Sequence, residues 1–204
     1  MKDFLTIKDK IFRHEFVVEK SRFISFACQV STVGQANFFI ESISKQHYDA
    51  THNCYAYLTD DGQKFSDDGE PQGTAGMPIL NAIKGKNLHN VAVVVTRYFG
   101  GIKLGAGGLV RAYGKAASNV LEEAEKVQFL QCDEFKLKCD YTYVSSVEAT
   151  AFSYGKIMER EYYADVTYNI VVPVAKSDEF AKKISDITQG RVYAQKIATK
   201  VVEF

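Results

Sequence analysis

The segment Thr96–Arg111, TRYFGGIKLGAGGLVR, places five glycines between Gly100 and Gly108. It overlaps the end of Val91–Thr96, a continuous apolar and β-branched run that is typical of a strand covered on both faces of a sheet. After the glycines, apolar side chains recur at helical spacing, which predicts a long helix with one buried face. The apolar residues of that face are Leu109, Tyr113, Ala116, Ala117, Val120 and Leu121.

The glycine-rich turn between the predicted strand and helix is a candidate anion site. Glycine allows positive φ and the close approach of another group, and the first N–H groups of a helix attract anions. Three cations lie in or beside the turn. We therefore predict that it binds the phosphate of RNA or of a nucleotide, and that it accepts a phosphate or sulfate ion. The predicted anion- and nucleic-acid-binding residues are Arg97, Gly100, Gly101, Lys103, Gly105, Gly107, Gly108 and Arg111.

The spacing of the glycines excludes two common nucleotide-binding motifs. No Gly-Lys-Ser/Thr sequence ends the turn, so it is not a Walker A loop, and the spacing also differs from the dinucleotide-binding fingerprint. A tight strand-to-helix connection, in which the glycines serve packing alone, stays open as an alternative.

The distribution of charge also points to this region. The chain has 25 Lys and Arg residues and 25 Asp and Glu residues, so binding of nucleic acid by bulk charge alone is excluded. Five acidic residues lie between Asp60 and Glu70, whereas none lies between Pro71 and Leu121. An acidic segment beside a basic, glycine-rich segment predicts a polarised site.

Turn residues are frequent between Asp60 and Gly76 and predict a polar loop. Its carboxylates Asp67, Asp68 and Glu70 are of the type that binds Mg²⁺ or acts in acid–base catalysis. The alternatives are a solvated turn, or a loop that pairs with the basic segment. We assign no metal and expect no cofactor, and these three residues are the candidates if a metal binds.

Two residues of the predicted strand Thr51–Thr59 suggest a different chemistry. His52 and Cys54 share one face of that strand, about 6–7 Å apart along the chain. A Cys–His nucleophile pair is one interpretation, and a packed histidine beside a buried thiol is the other. The candidate catalytic residues are His52, Asp68 and Glu70.

Targeting and membrane signals are missing from the sequence. No apolar run approaches the roughly 18–20 residues of a membrane helix, and Met1–Lys10 lacks the apolar core of a signal peptide. The four cysteines are widely spaced, and their spacing matches neither a zinc site nor a redox pair. We therefore expect a cytoplasmic protein with no membrane partner.

The hydrophobic pattern restarts after Val127 and predicts a second domain. Its elements follow the order strand, helix, strand, strand, helix, strand, which is the split-βαβ, ferredoxin-like arrangement. Gly155 and Gly190 end the two predicted helices. We therefore predict an α+β protein with one domain in residues 1–130 and a ferredoxin-like domain in residues 131–204.

Two long segments resemble the signature of the YigZ/IMPACT family. They are Phe65–Leu80, FSDDGEPQGTAGMPIL, and Val91–Lys115, VAVVVTRYFGGIKLGAGGLVRAYGK; the strand motif His52–Ala56 is similar to a further motif of that family. The resemblance implies a ribosomal protein S5 domain 2-like fold for residues 1–130. It also implies that residues 131–204 are similar to the last domain of elongation factor G, as in bacterial two-domain members.

The resemblance also implies a function. For bacterial members it implies a link to translation or RNA, and its eukaryotic relatives regulate translation by binding partners. We predict a translation-associated regulatory protein, and no enzyme, that binds RNA or a ribosome-linked partner through the glycine-rich turn. The alternative is a phosphate- or nucleotide-dependent phosphotransferase or hydrolase that uses the loop Asp67–Glu70. A third hypothesis is a protein–protein adaptor that docks through its second domain.

Overall fold

The computed structural model describes residues 3–204, which divide into two compact units. The first unit is residues 4–127, and the second is residues 128–204 together with Asp3. The first eight strands and helices are β1 (Phe4–Ile7), β2 (Phe12–Val18), β3 (Ser21–Gln29), α1 (Val33–Gln46), β4 (His52–Thr59), β5 (Gly62–Ser66), α2 (Gly76–Gly85) and β6 (Val91–Tyr98). The others are α3 (Gly105–Glu123), β7 (Lys126–Cys139), α4 (Val144–Tyr154), β8 (Lys156–Tyr162), β9 (Val166–Pro173), α5 (Ser177–Ile187) and β10 (Gln195–Glu203).

The main sheet of the first unit has the strand order β2-β3-β6-β4-β5, and all neighbouring strands are antiparallel. Helices α2 and α3 cover one face and α1 covers the other. Along β6, Val93 and Val95 pack in the core with α2 and α3, whereas Ala92 and Val94 pack in the core with α1. The prediction that Val91–Thr96 is a strand buried on both faces is therefore confirmed.

Two helices of the first unit form where the apolar periodicity predicts them. Helix α1 follows Thr32, whose side chain accepts a hydrogen bond from the Gln35 N–H and caps the helix. Helix α3 begins at Gly105 and buries the predicted apolar face against the sheet. Leu104 at its start supplies no side-chain cap, so the first N–H groups of α3 depend on other partners.

The predicted polar loop from Asp60 to Gly76 is wrong in its first part, where the structure has strand β5. This strand pairs antiparallel with β4 over its whole length and forms the edge of the sheet. Most of its residues are exposed. The segment therefore lacks the apolar alternation by which a half-buried strand is recognised.

The second unit has its elements in the predicted order, and the chain as a whole is α+β. Its strands β10, β7, β9 and β8 lie side by side in that order, and each neighbouring pair is antiparallel. Val147 and Ala151 of α4 pack with Phe180 and Ile184 of α5 in one core beneath this sheet. In the part of the chain that the structure describes, no helix is both long and apolar enough to cross a membrane.

Candidate functional site

Arg97 lies on the face of the main sheet that helices α2 and α3 cover. The register places it opposite Phe23 of β3 and His52 of β4. Side chains alternate along a strand, so Arg97 points to the same face as Val95, which belongs to the core with α2 and α3. Its side chain is only 6% exposed.

A buried ion pair joins Arg97, near the end of β6, to Glu70 of the acidic loop (residues 67–70). Arg97 Nη1 donates a hydrogen bond to Glu70 Oε1 over 2.7 Å, and the Tyr113 hydroxyl donates to the same oxygen over 2.7 Å. Arg97 Nη2 donates to Ser21 Oγ over 3.4 Å. The Glu70 carboxylate therefore balances the guanidinium charge inside the protein. Phosphate binding by Arg97 stays a prediction.

Asp67 organises the loop through both of its carboxylate oxygens. Oδ1 accepts hydrogen bonds from the N–H groups of Ala75 and Gly76, over 3.0 Å and 2.8 Å, and Oδ2 accepts one from Gly73 over 2.8 Å. Burial alone would raise the pKa of Asp67, but these three N–H groups hold it below its usual value. The side chain thus connects the end of β5 to the start of α2.

Asp68 attaches the same loop to strand β4. Its Oδ2 accepts a hydrogen bond from the Asn53 N–H over 2.6 Å, and its carbonyl accepts one from His52 Nδ1 over 2.6 Å. His52 Nε2 in turn lies 3.9 Å from Glu70 Oε2. The structure therefore brings the three candidate catalytic residues, His52, Asp68 and Glu70, into one cluster.

Of the two interpretations of His52 and Cys54, the structure favours a packed histidine beside a buried thiol over a nucleophile pair. Cys54 is fully buried, and its Sγ donates a hydrogen bond to the Asp67 carbonyl over 3.0 Å. Burial raises the pKa of this thiol well above its usual value, so the thiolate is disfavoured. Across residues 3–204, no three His, Cys, Asp or Glu side chains are grouped to hold a metal ion.

The five glycines of the turn have different roles. A Cβ at Gly100 would lie 2.0 Å from the backbone carbonyl of Lys20. Gly101 and Gly105 have φ values of +85° and +69°, in the left-handed region that favours glycine. Gly107 and Gly108 lie in the first turn of α3 without positive φ.

A cavity of about 350 Å³ separates the acidic loop from the glycine-rich turn, so the two predicted segments face each other. We call it the loop cavity. A second depression of about 450 Å³, the helix groove, lies between the end of β2 and helix α3. Lys103 and Leu104 line both. Residues around the loop cavity include Glu70, Pro71, Arg97, Phe99, Ala106 and Leu109.

Sequence reasoning missed Ser21, Phe99 and Tyr113 as members of this site. The apolar spacing predicts Tyr113 on the buried face of α3, where it lies. A signal for its second role was available, because a buried tyrosine hydroxyl needs a hydrogen-bond partner. Ser21 carried no such signal, since its contacts to Arg97 and Gly100 arise only when β3 lies beside β6.

Replacing Asp67 with asparagine should destabilise the first unit and change its response to pH. A lowered folded-state pKa means that the ionised carboxylate stabilises the fold above the unfolded-state pKa, and that this stability is lost as pH falls through the folded-state pKa. We expect Asp67→Asn to cost about 1–3 kcal/mol at neutral pH. The decline in stability between about pH 5 and pH 2 should also be shallower.

Urea unfolding at a series of pH values measures both effects. Asp61→Asn, which removes an exposed carboxylate of the same segment, is the matched control. Parallel pH profiles for Asp67→Asn and the unchanged protein would contradict the proposed role of this carboxylate.

Two known domain families match most of the chain. The Impact N-terminal domain matches residues 19–121, and a domain of unknown function (DUF1949) matches residues 137–191. The chain is 42% identical over 182 residues to the IMPACT family member YvyE of Bacillus subtilis, covering 87% of this chain and 84% of that relative. The chain belongs to the IMPACT family. The resemblance of its motifs to this family is thereby confirmed.

Two further comparisons support the assignment to the IMPACT family. The IMPACT family member YigZ of Escherichia coli is 39% identical over 179 residues, which cover 85% of this chain and 88% of that protein. A crystal structure described as that of a hypothetical protein is similar at a TM-score of 0.62 and 34% identity, covering 97% of this chain and 98% of that one. The similarity therefore extends over both units of this IMPACT family chain.

Proposed function

We propose that this IMPACT family protein is a translation-associated regulatory protein that acts in the cytoplasm by binding RNA. The RNA phosphates bind to the exposed cations of the helix groove. The observation that carries the proposal is the charge of this groove. Lys103, Arg111 and Lys115 all line it, and Glu19 is the only carboxylate among its lining residues.

These three cations are available to a ligand. All three are exposed, and none forms an ion pair with another residue between 3 and 204. The Lys115 ammonium lies 5.4 Å from the centre of the Phe16 ring. Arg111 and Lys115 stand four residues apart on α3, and like charges at this spacing repel each other. A phosphate chain along the groove would relieve that repulsion and release counterions, which favours nucleic-acid binding.

Exposed apolar side chains lie beside these cations. Val17, Phe99 and Ile102 are 63%, 46% and 39% exposed. Sites for single-stranded nucleic acid combine a cationic path for phosphates with apolar or aromatic surfaces for bases. The combination favours single-stranded RNA over a duplex, and the phosphate contacts position the strand without reading its sequence.

Catalysis is the less favoured alternative because the acidic loop is already engaged. Asp67 and Asp68 accept backbone hydrogen bonds within the protein, and Glu70 pairs with Arg97. A phosphotransferase or hydrolase of the predicted kind needs a carboxylate that is free to bind Mg²⁺ or to exchange protons. This engagement supports binding over reaction at the site.

The link to translation rests on the family resemblance together with two inferences about fold. We propose an S5 domain 2-like fold for the first unit and a ferredoxin-like fold for the second. The strand order β10-β7-β9-β8 and the βαββαβ order of elements support the second assignment.

A double substitution of groove cations tests the proposal. The probe is a fluorescently labelled, single-stranded RNA of about 12 nucleotides, a length suited to one binding site. We expect Lys103→Ala with Arg111→Ala to weaken binding at least about tenfold at low salt. The slope of log K against log salt should become shallower by about 1.4, because each lost phosphate contact contributes about 0.7.

The matched control removes the same charge elsewhere. Lys182→Ala with Lys183→Ala alters two exposed lysines of α5 in the second unit and should leave the affinity and the slope unchanged. Arg97 is left unchanged, since its replacement would leave the buried Glu70 carboxylate without a counter-charge. Equal affinities and slopes for the groove variant and the unchanged protein would refute RNA binding through this groove.

A further inference from the structure

We propose that the loop cavity binds a single nucleobase. The base can come from a strand of RNA that lies in the helix groove or from a free nucleotide. Binding of a base that belongs to RNA rests on the proposed function, whereas binding of a free nucleotide does not.

The size and the walls of the cavity suit a flat aromatic ring. Its volume of about 350 Å³ lies at the lower end of the range for small-molecule sites. Pro71, Phe99, Leu104 and Leu109 supply apolar surface to it. The ring of Phe99 is 46% exposed, which leaves it accessible for stacking against a base.

The aromatic wall is held in place before any ligand binds. The Arg97 guanidinium carbon lies 5.4 Å from the centre of the Phe99 ring and 5.6 Å from the centre of the Phe23 ring. Hydrogen bonds from Arg97 to Glu70 and Ser21 fix the guanidinium in turn. A preorganised wall reduces the entropy that a ligand must lose on binding.

A polar edge lies among these apolar walls. The charged side chains of Glu70 and Arg97 line the cavity, although they are only 3% and 6% exposed. A nucleobase combines an apolar face with donors and acceptors along its edge. Glu70 and the Nη groups of Arg97 already bind within the protein, whereas Arg97 Nε is buried with no hydrogen-bond partner in residues 3–204 and remains for an acceptor on the edge of a base.

The opening of the cavity favours a ligand that carries phosphate. Lys103 lines the cavity and the helix groove alike, so a phosphate attached to the bound base would meet this ammonium group. Gly105 and Ala106, the first residues of α3, also line the cavity. No side chain of the N-cap residue Leu104 accepts a hydrogen bond from the first N–H groups of this helix. Base and phosphate can therefore be bound together by neighbouring groups of one segment.

Two substitutions on α3 distinguish binding in the cavity from binding elsewhere on the surface. Ala106 is exposed and lines the cavity, so Ala106→Phe should fill the space without disturbing the core. Val110 is 42% exposed on the same helix and lines neither the cavity nor the groove. Val110→Phe is therefore the matched control, because it introduces the same phenylalanine side chain on α3 outside the cavity and the groove.

The first experiment compares adenosine 5′-monophosphate with ribose 5-phosphate by isothermal titration. Both carry the phosphate, and only the first carries a base. We expect the unchanged protein and Val110→Phe to bind the nucleotide at least about tenfold more tightly, which is the contribution of one stacked base. Ala106→Phe should bind the two ligands equally. Equal binding of both ligands by the unchanged protein, or a preference that survives Ala106→Phe, would overturn the proposal.

The second experiment distinguishes the two sources of the base. It measures the single-stranded RNA probe on the same variants. Weaker RNA binding by Ala106→Phe, but not by Val110→Phe, supports a base of RNA in the cavity. If the nucleotide binds with its preference intact while the unchanged protein fails to bind RNA, the cavity inference holds with a free nucleotide as ligand, and the proposed RNA function fails. RNA binding can depend on Lys103 and Arg111 while Ala106→Phe changes neither RNA binding nor the preference for the nucleotide over ribose 5-phosphate. In that case the cavity inference fails and the proposed RNA function holds.

Discussion

Replacing Glu70 with glutamine is expected to lower the free energy of unfolding by about 3–5 kcal/mol, because it leaves the Arg97 guanidinium buried without a counter-charge. The two side chains are 3% and 6% exposed, so water cannot take over the role of the carboxylate. Glutamine has nearly the same shape as glutamate. The change therefore tests charge rather than packing.

A double-mutant cycle attributes the loss to the pair. Replacement of both charged partners of a buried pair by neutral residues is often close to neutral, so Glu70→Gln with Arg97→Met should recover most of the stability lost in Glu70→Gln. Urea unfolding measures each corner of the cycle. Glu125→Gln, at an exposed pair with Lys8, is the control and should cost much less. Additive losses in the double variant would show that the pair is not the cause.

Gly100→Ala is expected to destabilise the first unit by about 3 kcal/mol or more, which is at or above the usual range for overpacking. The added Cβ would lie 2.0 Å from the carbonyl carbon and oxygen of Lys20 and 2.4 Å from the Ser21 nitrogen. These are backbone atoms of the β2–β3 hairpin and cannot rotate away as a side chain does. The hairpin and the glycine-rich turn must therefore move apart.

Gly107→Ala is the matched control for Gly100→Ala. A Cβ at Gly107 would meet only the Arg111 side chain, at 3.5 Å. Alanine is favoured over glycine in a helix by up to about 1 kcal/mol, so Gly107→Ala should be neutral or slightly stabilising. Thermal and urea unfolding of both variants check the contrast. Equal stabilities would mean that the turn does not depend on the close approach of Gly100 to the hairpin.

Much of the fold follows from local patterns in the sequence. The run Val91–Thr96 predicts the central strand, and the apolar spacing from Leu109 to Leu121 predicts helix α3. The first succeeds because a strand buried on both faces carries a continuous apolar, β-branched run, and the second because burial of one helix face imposes a repeat of 3.6 residues. Both patterns can be read without knowledge of the partner elements. The exposed strand β5 escaped prediction for the same reason, since it carries no apolar repeat.

The candidate site could be predicted only in part. The glycines, the exposed cations Lys103 and Arg111 and the absence of acids between Pro71 and Leu121 are properties of the sequence itself. The sequence could not distinguish these exposed cations from Arg97, because Arg97 directly follows a continuous apolar run, which gives no sign of the face on which the next side chain lies. The alternation of β6 turns Arg97 toward the core, where Glu70 meets it.

The elements around the glycine-rich turn and the charge of its surroundings follow from the sequence alone, because helix and strand patterns and the conformational freedom of glycine are local properties of the chain. Which of the charges remain available to a ligand depends instead on how the elements pack. The residues that neutralise and orient Arg97 are 27 and 76 positions away in the sequence. Contacts at such distances arise from strand register and helix packing, which no local pattern encodes.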